Sequence, residues 1–308
     1  MKEMEKISII GSGVVGTIMG EGFSKVGFPV VFHDIDERKV NALIEKGYRA
    51  TLNLEEAVLN SDISFICVPT PLSEKRSSHG YRKMDLSFVE KAVRELAKAL
   101  TKKRELHVIV IKSTVLPTTV EEVVIPILNE YKITNAEVCV NPEFLTEIAR
   151  TWTNDEQFIR GFFNEDRYVI GEAHPNSKGG DILENIYRKV NEYSKKSTPI
   201  ERVSWREAAW IKLVANCALA SKISYFNNLF EAALKLNIDP HKTAKIVGMD
   251  KRIGPYGTIH GKAFGGKCLP KDLEAFLAFL DEKAYIPEML DATLKVNNYM
   301  KEKYGVRE

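Results

Sequence analysis

Short apolar runs alternate with amphipathic stretches through the first two thirds of the chain. Runs rich in β-branched residues predict strands at 7–10, 29–34, 62–68, 106–111 and 136–140. Apolar residues at helical spacing predict helices at 14–26, 84–100 and 118–131. Strands that alternate with helices are typical of a parallel sheet covered by helices on both faces. The pattern therefore predicts an α/β fold with a doubly wound sheet.

The pattern changes after the apolar run at 166–172. Residues 204–236 read as one helix of about thirty residues, apolar nearly all round, and Ser204 with Glu207 forms an S-x-x-E capping box at its start. Two further helices are predicted at 268–280 and 286–305. We expect two domains, 1–203 and an all-helical 204–308, and we interpret the polar run 73–85 as a mobile surface loop.

Composition narrows the class of protein. The 308 residues are 44% hydrophobic and 28% charged, with a net charge of +2, so no global field favours nucleic acid or a membrane surface. No segment approaches the ~20 apolar residues of a membrane span, and the N-terminus does not resemble a signal peptide. We expect a cytoplasmic protein. Four separated cysteines and six scattered histidines predict no disulfide framework and no metal site.

The first predicted strand ends in a glycine-rich turn. Gly11, Gly13 and Gly16 form G-x-G-x-x-G between a strand and a helix, and Asp34 ends the next strand. In this context the glycines allow a tight turn, approach of a pyrophosphate to the backbone, and close helix–strand packing. Asp34 would accept hydrogen bonds from the adenosine ribose and repel a 2′-phosphate, which favours NAD over NADP. The sheet is therefore predicted to be of the Rossmann type.

Further polar residues follow the later strands. Thr70, Ser113, Thr114 and Glu143 each come just after an apolar run. Ligands of doubly wound sheets bind at the carboxyl ends of the strands. We therefore expect these side chains to lie near the bound dinucleotide.

Two groups of residues in the second half are of types that take part in catalysis. Lys212 and Asn216 lie one helical turn apart in the apolar helix, where a lysine is either used or snorkels to the surface. Cys268 precedes Pro270 at the start of another helix, where the dipole would favour a thiolate. A thiolate beside NAD can add to an aldehyde, and the adduct can lose a hydride and then be hydrolysed. A lone cysteine of this kind can equally be structural.

Taken together, these motifs resemble the UDP-glucose/GDP-mannose 6-dehydrogenase family. The resemblance covers essentially the whole chain in order, from the glycine fingerprint through CVPTP, KST, NPEFL, DRYVIG, IKLVAN and DKRIG to FGGKCLPKD at 264–272. It implies oxidation of a sugar C6 alcohol to a carboxylate by two hydride transfers to NAD. The loop GGKCLPKD is closer to the UDP-glucose and GDP-mannose branches than to the N-acetylmannosamine branch.

The resemblance implies a role for each matching residue. Cys268 would be the nucleophile, Lys212 and Asn216 the oxyanion site, Asp272 and Thr114 the holders of the hydrolytic water, and Glu143 the general base. The implied cofactor-binding residues are Gly11, Gly13, Val14, Val15, Gly16, Asp34, Pro69, Thr70, Ser113, Thr114 and Glu147. The implied substrate contacts are Phe144, Leu145, Lys212, Asn216, Arg252, Phe264 and Gly265.

The resemblance also implies a homodimer formed through the helix 204–236, with Arg252 reaching the substrate of the neighbouring subunit. A third domain that binds the nucleotide is usual in the family and is expected to be absent from this chain. Other departures from the family pattern are a long run after Glu147, Ile148, Thr118 and Asn228. Two alternatives stay open: a dehydrogenase of a smaller alcohol or sugar that uses the same thiol, and a catalytically silent NAD-binding paralogue.

Overall fold

A computed structural model describes residues 4–146 and 160–307. The strands are β1 Ile7–Ile10, β2 Val30–His33, β3 Arg49–Thr51, β4 Ile63–Ile66, β5 Leu72–Arg76, β6 Arg82–Met84, β7 His107–Ile111, β8 Ala136–Val140, β9 Tyr168–Glu172, β10 Ile200–Ser204, β11 Ala263–Phe264 and β12 Val306–Arg307. The helices are α1 Val14–Val26, α2 Glu37–Glu45, α3 Leu54–Leu59, α4 Ser87–Leu100, α5 Ile125–Glu130, α6 Lys178–Ser194, α7 Trp205–Lys235, α8 Pro240–Val247, α9 Leu269–Glu282 and α10 Glu288–Tyr304. A π-helical segment, Val120–Val124, leads directly into α5.

The chain divides into two compact units. Among the described residues, the first comprises 4–70, 85–145 and 161–212, and the second comprises 71–84, 146, 160 and 213–307. The division falls inside α7, at Lys212. The domain limits 1–203 and 204–308 stay a prediction.

The first unit contains the predicted α/β sheet. Its strand order is β10-β9-β8-β7-β4-β1-β2-β3, and the pairs from β8 to β3 are parallel. From β1 the chain adds strands first in one direction, through β2 and β3, and then in the other, through β4 and β7. The boundary between β1 and β4 is therefore the topological switch point of a doubly wound fold. The sheet is mixed rather than wholly parallel, because β9 pairs antiparallel with β8 at Val140↔Gly171. The predicted fold class is otherwise confirmed.

Alternation along the strands builds two apolar layers. Ile9, Phe65 and Val110 face one layer, with Phe23 of α1 and Tyr187 of α6. The next residues along the same strands face the other layer, which α3, α4 and α5 cover: Ile10, Ile66 and Ile111. Successive side chains of a strand point to opposite faces, so strands that are apolar at every position must be covered on both.

The second unit is mainly helical, as predicted for the later part of the chain. It contains the rest of α7 with α8, α9 and α10, and a short parallel pair formed by β11 and β12. The capping box at the start of α7 belongs to the first unit and is confirmed: both the backbone N and the Oγ of Ser204 donate to Glu207 Oε2, at 2.8 and 2.7 Å.

The interpretation of 73–85 as a mobile loop is wrong. This stretch forms the antiparallel hairpin β5–β6 in the second unit. Arg82 makes a bidentate ion pair with Glu274 of α9, and Ser78 and His79 donate from the hairpin turn to Asp281 at 2.7 and 2.9 Å. Each of these partners is about 200 residues away along the chain, so local polarity could not reveal them.

The sequence patterns also missed some elements. α6 was not predicted because it opens with glycines, although Ser177 caps it by accepting from the Gly180 amide at 3.0 Å.

No helix within residues 4–146 and 160–307 combines the length and hydropathy that crossing a bilayer requires.

Candidate functional site

The turn between β1 and α1 has the geometry expected of a phosphate cradle. Gly11 adopts φ +98°, and a Cβ there would lie 2.9 Å from the Cys67 carbonyl oxygen. A Cβ on Gly16 would lie 2.0 Å from the Gly11 carbonyl oxygen, so this position admits no side chain. Gly13 differs from both, because a Cβ would meet nothing within 4 Å. The space at Gly13 is therefore open to a ligand.

Gly13 is also the N-cap of α1 and supplies no side chain to the first amides of the helix. A helix that begins this way attracts an anion through its amides and its dipole. Val14 and Val15 form the first turn, and Val14 is exposed. These residues fit the pyrophosphate of a dinucleotide.

Asp34 is held in place directly after β2. Its Oδ2 accepts from the Ser12 amide at 2.7 Å and from Lys39 Nζ at 3.2 Å, and its Oδ1 accepts from the Asp36 amide at 3.0 Å. The bond to Ser12 ties the acid to the glycine-rich turn. The carboxylate therefore lies beside the cradle, where an adenosine ribose would be bound.

The residues after β4 and β7 meet at the same edge of the sheet. Ser113 Oγ donates to the Val68 carbonyl at 2.6 Å, and Thr70 Oγ1 donates to the Thr114 carbonyl at 2.9 Å. Pro69, between them, is exposed. The structure thus brings the predicted residues of these two loops together through direct hydrogen bonds.

Glu143 and Lys212 form a buried ion pair in the first unit. Lys212 Nζ donates to Glu143 Oε1 at 3.1 Å, and the two side chains are 5% and 10% exposed. The Leu145 amide donates to Glu143 Oε2 at 2.7 Å. Burial opposes the charge on Glu143, but Lys212 and the amide outweigh it and lower the pKa of Glu143. Lys212 is therefore an internal, paired cation and does not snorkel to the surface.

Two cations lie close to the Phe144 ring. The Arg167 guanidinium lies 3.9 Å from the Phe144 ring centroid, and Lys212 Nζ lies 5.5 Å from it. A ring face attracts cations in this range. The predicted substrate contact Phe144 therefore helps to orient the charged groups around Glu143.

Two buried charges of this region were missed. Lys112, directly after β7, is 1% exposed, and Glu165, shortly before β9, is 5% exposed. A lysine that follows the apolar run LHVIVI was a usable signal, because a charge next to a buried strand is costly unless it has partners. Glu165 gave no comparable signal, since it lies in a polar stretch.

In the second unit, Cys268 lies at the start of α9. It occupies the N-cap position, Pro270 lies in the first turn, and the thiol-bearing residue is partly exposed. The Asp272 amide donates to the Cys268 carbonyl at 2.9 Å. Asp272 is buried, and its Oδ2 accepts from Asn216 Nδ2 at 2.6 Å while its Oδ1 accepts from Lys271 Nζ at 2.5 Å. Asn216 of α7 thus contacts Asp272 in the first turn of the helix that begins at Cys268.

The loop before Cys268 has a packing role that the sequence interpretation did not include. A Cβ on Gly265 would lie 2.4 Å from Val306 Cγ1 and 2.9 Å from the Arg307 carbonyl oxygen. Gly265 is therefore needed for contact with β12, whatever its effect on access to the sulfur. Phe264 is buried, and Asn297 bonds both its backbone N and O.

The other three cysteines behave as core residues. Burial raises the pKa of Cys67, Cys139 and Cys217 to about 12 in each case. These thiols stay protonated at neutral pH and are poor nucleophiles.

The remaining candidates are more distant from these groups in the chain. Arg252 is exposed and makes a bidentate pair with Asp250, at 3.1 and 2.7 Å. Glu147 lies outside the described residues. Within 4–146 and 160–307, no group of three or more His, Cys, Asp or Glu residues is arranged to hold a metal ion.

The cradle, the acid after β2 and the charged pair at one sheet edge define a dinucleotide-binding dehydrogenase. Residues 41–191 match the NAD-binding domain of the UDP-glucose/GDP-mannose dehydrogenase family, and 206–299 match its central domain. The chain belongs to the UDP-glucose/GDP-mannose dehydrogenase family. It is an NAD-dependent oxidoreductase, as the NAD-binding domain and the dehydrogenase relatives indicate.

The relatives extend over nearly the whole chain. GDP-mannose 6-dehydrogenase of Pseudomonas aeruginosa is 32% identical over 95% of this chain and 68% of its own length. UDP-glucose 6-dehydrogenase AglM of Haloferax volcanii is 31% identical over 95% of this chain and 69% of its own length. A UDP-glucose dehydrogenase structure from Pyrobaculum islandicum superposes with a TM-score of 0.84 at 30% identity, covering 97% of this chain and 69% of that one.

Proposed function

We propose that this chain oxidises the C6 alcohol of a nucleotide sugar to the uronic acid, with two NAD per sugar. UDP-glucose and GDP-mannose are the substrates to test first, because relatives named for each are about equally similar. The proposal rests mainly on the arrangement of side chains at the N-terminus of α9. A partly exposed cysteine there precedes a buried aspartate that is hydrogen-bonded to an asparagine.

Oxidation of a primary alcohol to a carboxylate removes two hydrides and adds one oxygen from water. NAD bound at the cradle would accept each hydride. The alcohol loses a hydride and a proton to give an aldehyde. The Cys268 sulfur adds to that carbonyl carbon, and the resulting thiohemiacetal loses the second hydride and a proton to give a thioester. Water then cleaves the carbon–sulfur bond and restores the thiol.

The charged residues suit these steps. Lys212 Nζ donates one hydrogen bond to Glu143, and its positive charge would stabilise the substrate oxygen as negative charge develops there. Glu143 is a carboxylate at neutral pH, so its Oε1 can take a proton from water in the hydrolysis. Asp272 Oδ2, held by Asn216, would orient that water together with Thr114.

We also propose that the chain forms a homodimer through α7. Within the second unit this helix exposes the large apolar side chains Val214, Tyr225, Leu229 and Leu234, which are 39–61% accessible. Apolar side chains grouped along one helix are typical of a covered surface. Arg252 is exposed on the same unit and would extend toward the partner's substrate after release from Asp250.

The test is NADH production from NAD and a panel of nucleotide sugars. We expect two NADH per sugar with one of them. Cys268→Ala should stop turnover before acid forms, while the matched control Cys139→Ala, a buried thiol of β8, should keep it. Turnover of small alcohols alone, or NAD binding without any turnover, would contradict the proposal.

A further inference from the structure

Two buried charges take no part in the proposed chemistry. Lys112 and Glu165 are 1% and 5% exposed and lie on different segments of the first unit. Burial of an ionisable group costs several kcal/mol unless other groups compensate. Each of them therefore requires polar partners.

Lys112 holds the beginning of the segment that carries Glu143. Its Nζ donates to Asn141 Oδ1 at 2.9 Å and to the Pro142 carbonyl at 3.3 Å. Tyr187 of α6 donates to the same Asn141 oxygen at 2.5 Å, and Asn141 Nδ2 donates to the Val169 carbonyl at 2.7 Å. The start of the segment is thereby tied to β7, α6 and β9.

Glu165 lies at the other end of this segment. The backbone N–H of Phe144 stabilises its carboxylate, and Arg167, two residues further along, covers the Phe144 ring at 3.9 Å. The Leu145 amide is meanwhile bound to Glu143 itself at 2.7 Å. Residues 141–145 are thus held from both ends by charged groups that are remote in sequence.

We infer that Lys112 and Glu165 are positioning residues that clamp residues 141–145, so that Glu143 meets Lys212. The inference rests on the proposed function for its catalytic meaning. It does not depend on the identity of the sugar. Neither residue needs to touch the substrate.

Burial also affects the ionisation of Glu165. It raises the pKa of Glu165 to about 7; Lys112 and Lys212 oppose the rise, and Glu143 adds to it. The ionisable groups of the surrounding elements include Lys112, Glu143, Lys212, Tyr168, Tyr187 and Cys67, and Arg167 lies over the neighbouring Phe144 ring. The two tyrosines and the cysteine have raised pKa values and stay protonated, so they do not titrate together with Glu165.

The experiment uses the full chain labelled with ¹³C at glutamate side-chain carboxyls, titrated by NMR without substrate. We expect one carboxyl that titrates near pH 7. It should be absent in Glu165→Gln, remain in the exposed α6 control Glu192→Gln, and move to higher pH in Lys112→Met, which removes the favourable cation. The Glu143 signal should shift in Glu165→Gln, because its segment loses one anchor.

Turnover supplies the second measurement. We expect an inflection near pH 7 in the pH profile of kcat/KM, lost in Glu165→Gln, and a fall of at least tenfold in Lys112→Met at unchanged NAD affinity. An unmoved Glu143 signal in Glu165→Gln overturns the inference whether or not the chain turns over. An active enzyme with unchanged turnover in Lys112→Met and an unchanged pH profile in Glu165→Gln overturns the positioning role and leaves the proposed function standing.

Discussion

Gly16 and Gly13 allow the packing and ligand-binding roles of the glycine-rich turn to be separated. A Cβ on Gly16 would lie 2.0 Å from the Gly11 carbonyl oxygen and 3.1 Å from Ile9 Cγ2. Since the first of these is a backbone atom, Gly16→Ala must displace β1 or α1. Gly13 has φ −75° and open space around its Cβ position, so Gly13→Ala leaves the fold unstrained.

The expected sizes follow from this geometry. Forcing a methyl into a packed site costs ~1–3 kcal/mol, and a backbone clash of this depth belongs at the upper end. Alanine in a helix recovers roughly 0.5–1 kcal/mol relative to glycine. We expect Gly16→Ala to lose about 2 kcal/mol net, or roughly 4–8 °C in Tm for a unit of this size. Gly13→Ala should change Tm by less than about 2 °C and weaken NAD at least tenfold, about 1.4 kcal/mol.

Calorimetric melting without ligand and isothermal titration with NAD measure the two effects separately. Gly13→Ala is the matched control for Gly16→Ala, because both add one methyl to the same turn. If Gly16→Ala melts like the wild type, the packing argument is wrong. If Gly13→Ala binds NAD normally, the pyrophosphate does not approach the backbone there.

Three further predictions concern stability. Burial, with a nearby lysine, lowers the pKa of His107 to about 3. Between about pH 6.5 and 3, His107 is therefore protonated in the unfolded chain and neutral in the native protein. Urea unfolding should show stability falling over that window, by up to roughly 5 kcal/mol at its acid end, and the slope should be smaller in His107→Gln. Arg202→Met should lower the free energy of unfolding by ~3–5 kcal/mol in the same assay, because it leaves the buried Glu172 carboxylate without its cation. Adding Glu172→Gln should recover part of this loss. Ser204→Ala should lower thermal stability by about 1 kcal/mol through loss of the capping bond to Glu207, and an unchanged Tm would count against that cap.

Local signals were enough to predict much of the first unit. Strands β1, β4 and β7 are buried at every position and mainly apolar because both faces are covered, and such runs can be recognised without knowledge of their neighbours. The order of glycines in the first turn, and the acid after β2, depend on backbone geometry within about 25 residues. The capping box and the start of α9, with Pro270 in its first turn, are local in the same sense.

The pairing of side chains was decided only by the tertiary structure. Glu143 and Lys212 are 69 residues apart, and Asn216 and Asp272 are 56 apart, so no periodicity connects them. The resemblance to a family suggested that these residues matter, but it did not indicate which carboxylate each lysine or asparagine would meet.

The hairpin β5–β6 and the charges Lys112 and Glu165 show the same limit. The stretch 73–85 is polar because its ion pairs are with α9, and a polar stretch without visible partners is indistinguishable from a loop. Buried apolar residues recur along the chain with the period of the helix or strand that contains them, so the sequence shows them directly. A hydrogen bond or an ion pair instead needs two positions that folding brings together in space. The sequence alone therefore determined the mainly apolar strands, several helices, the cradle and the class of cofactor, and the packed structure decided the hairpin β5–β6 and which charges act together.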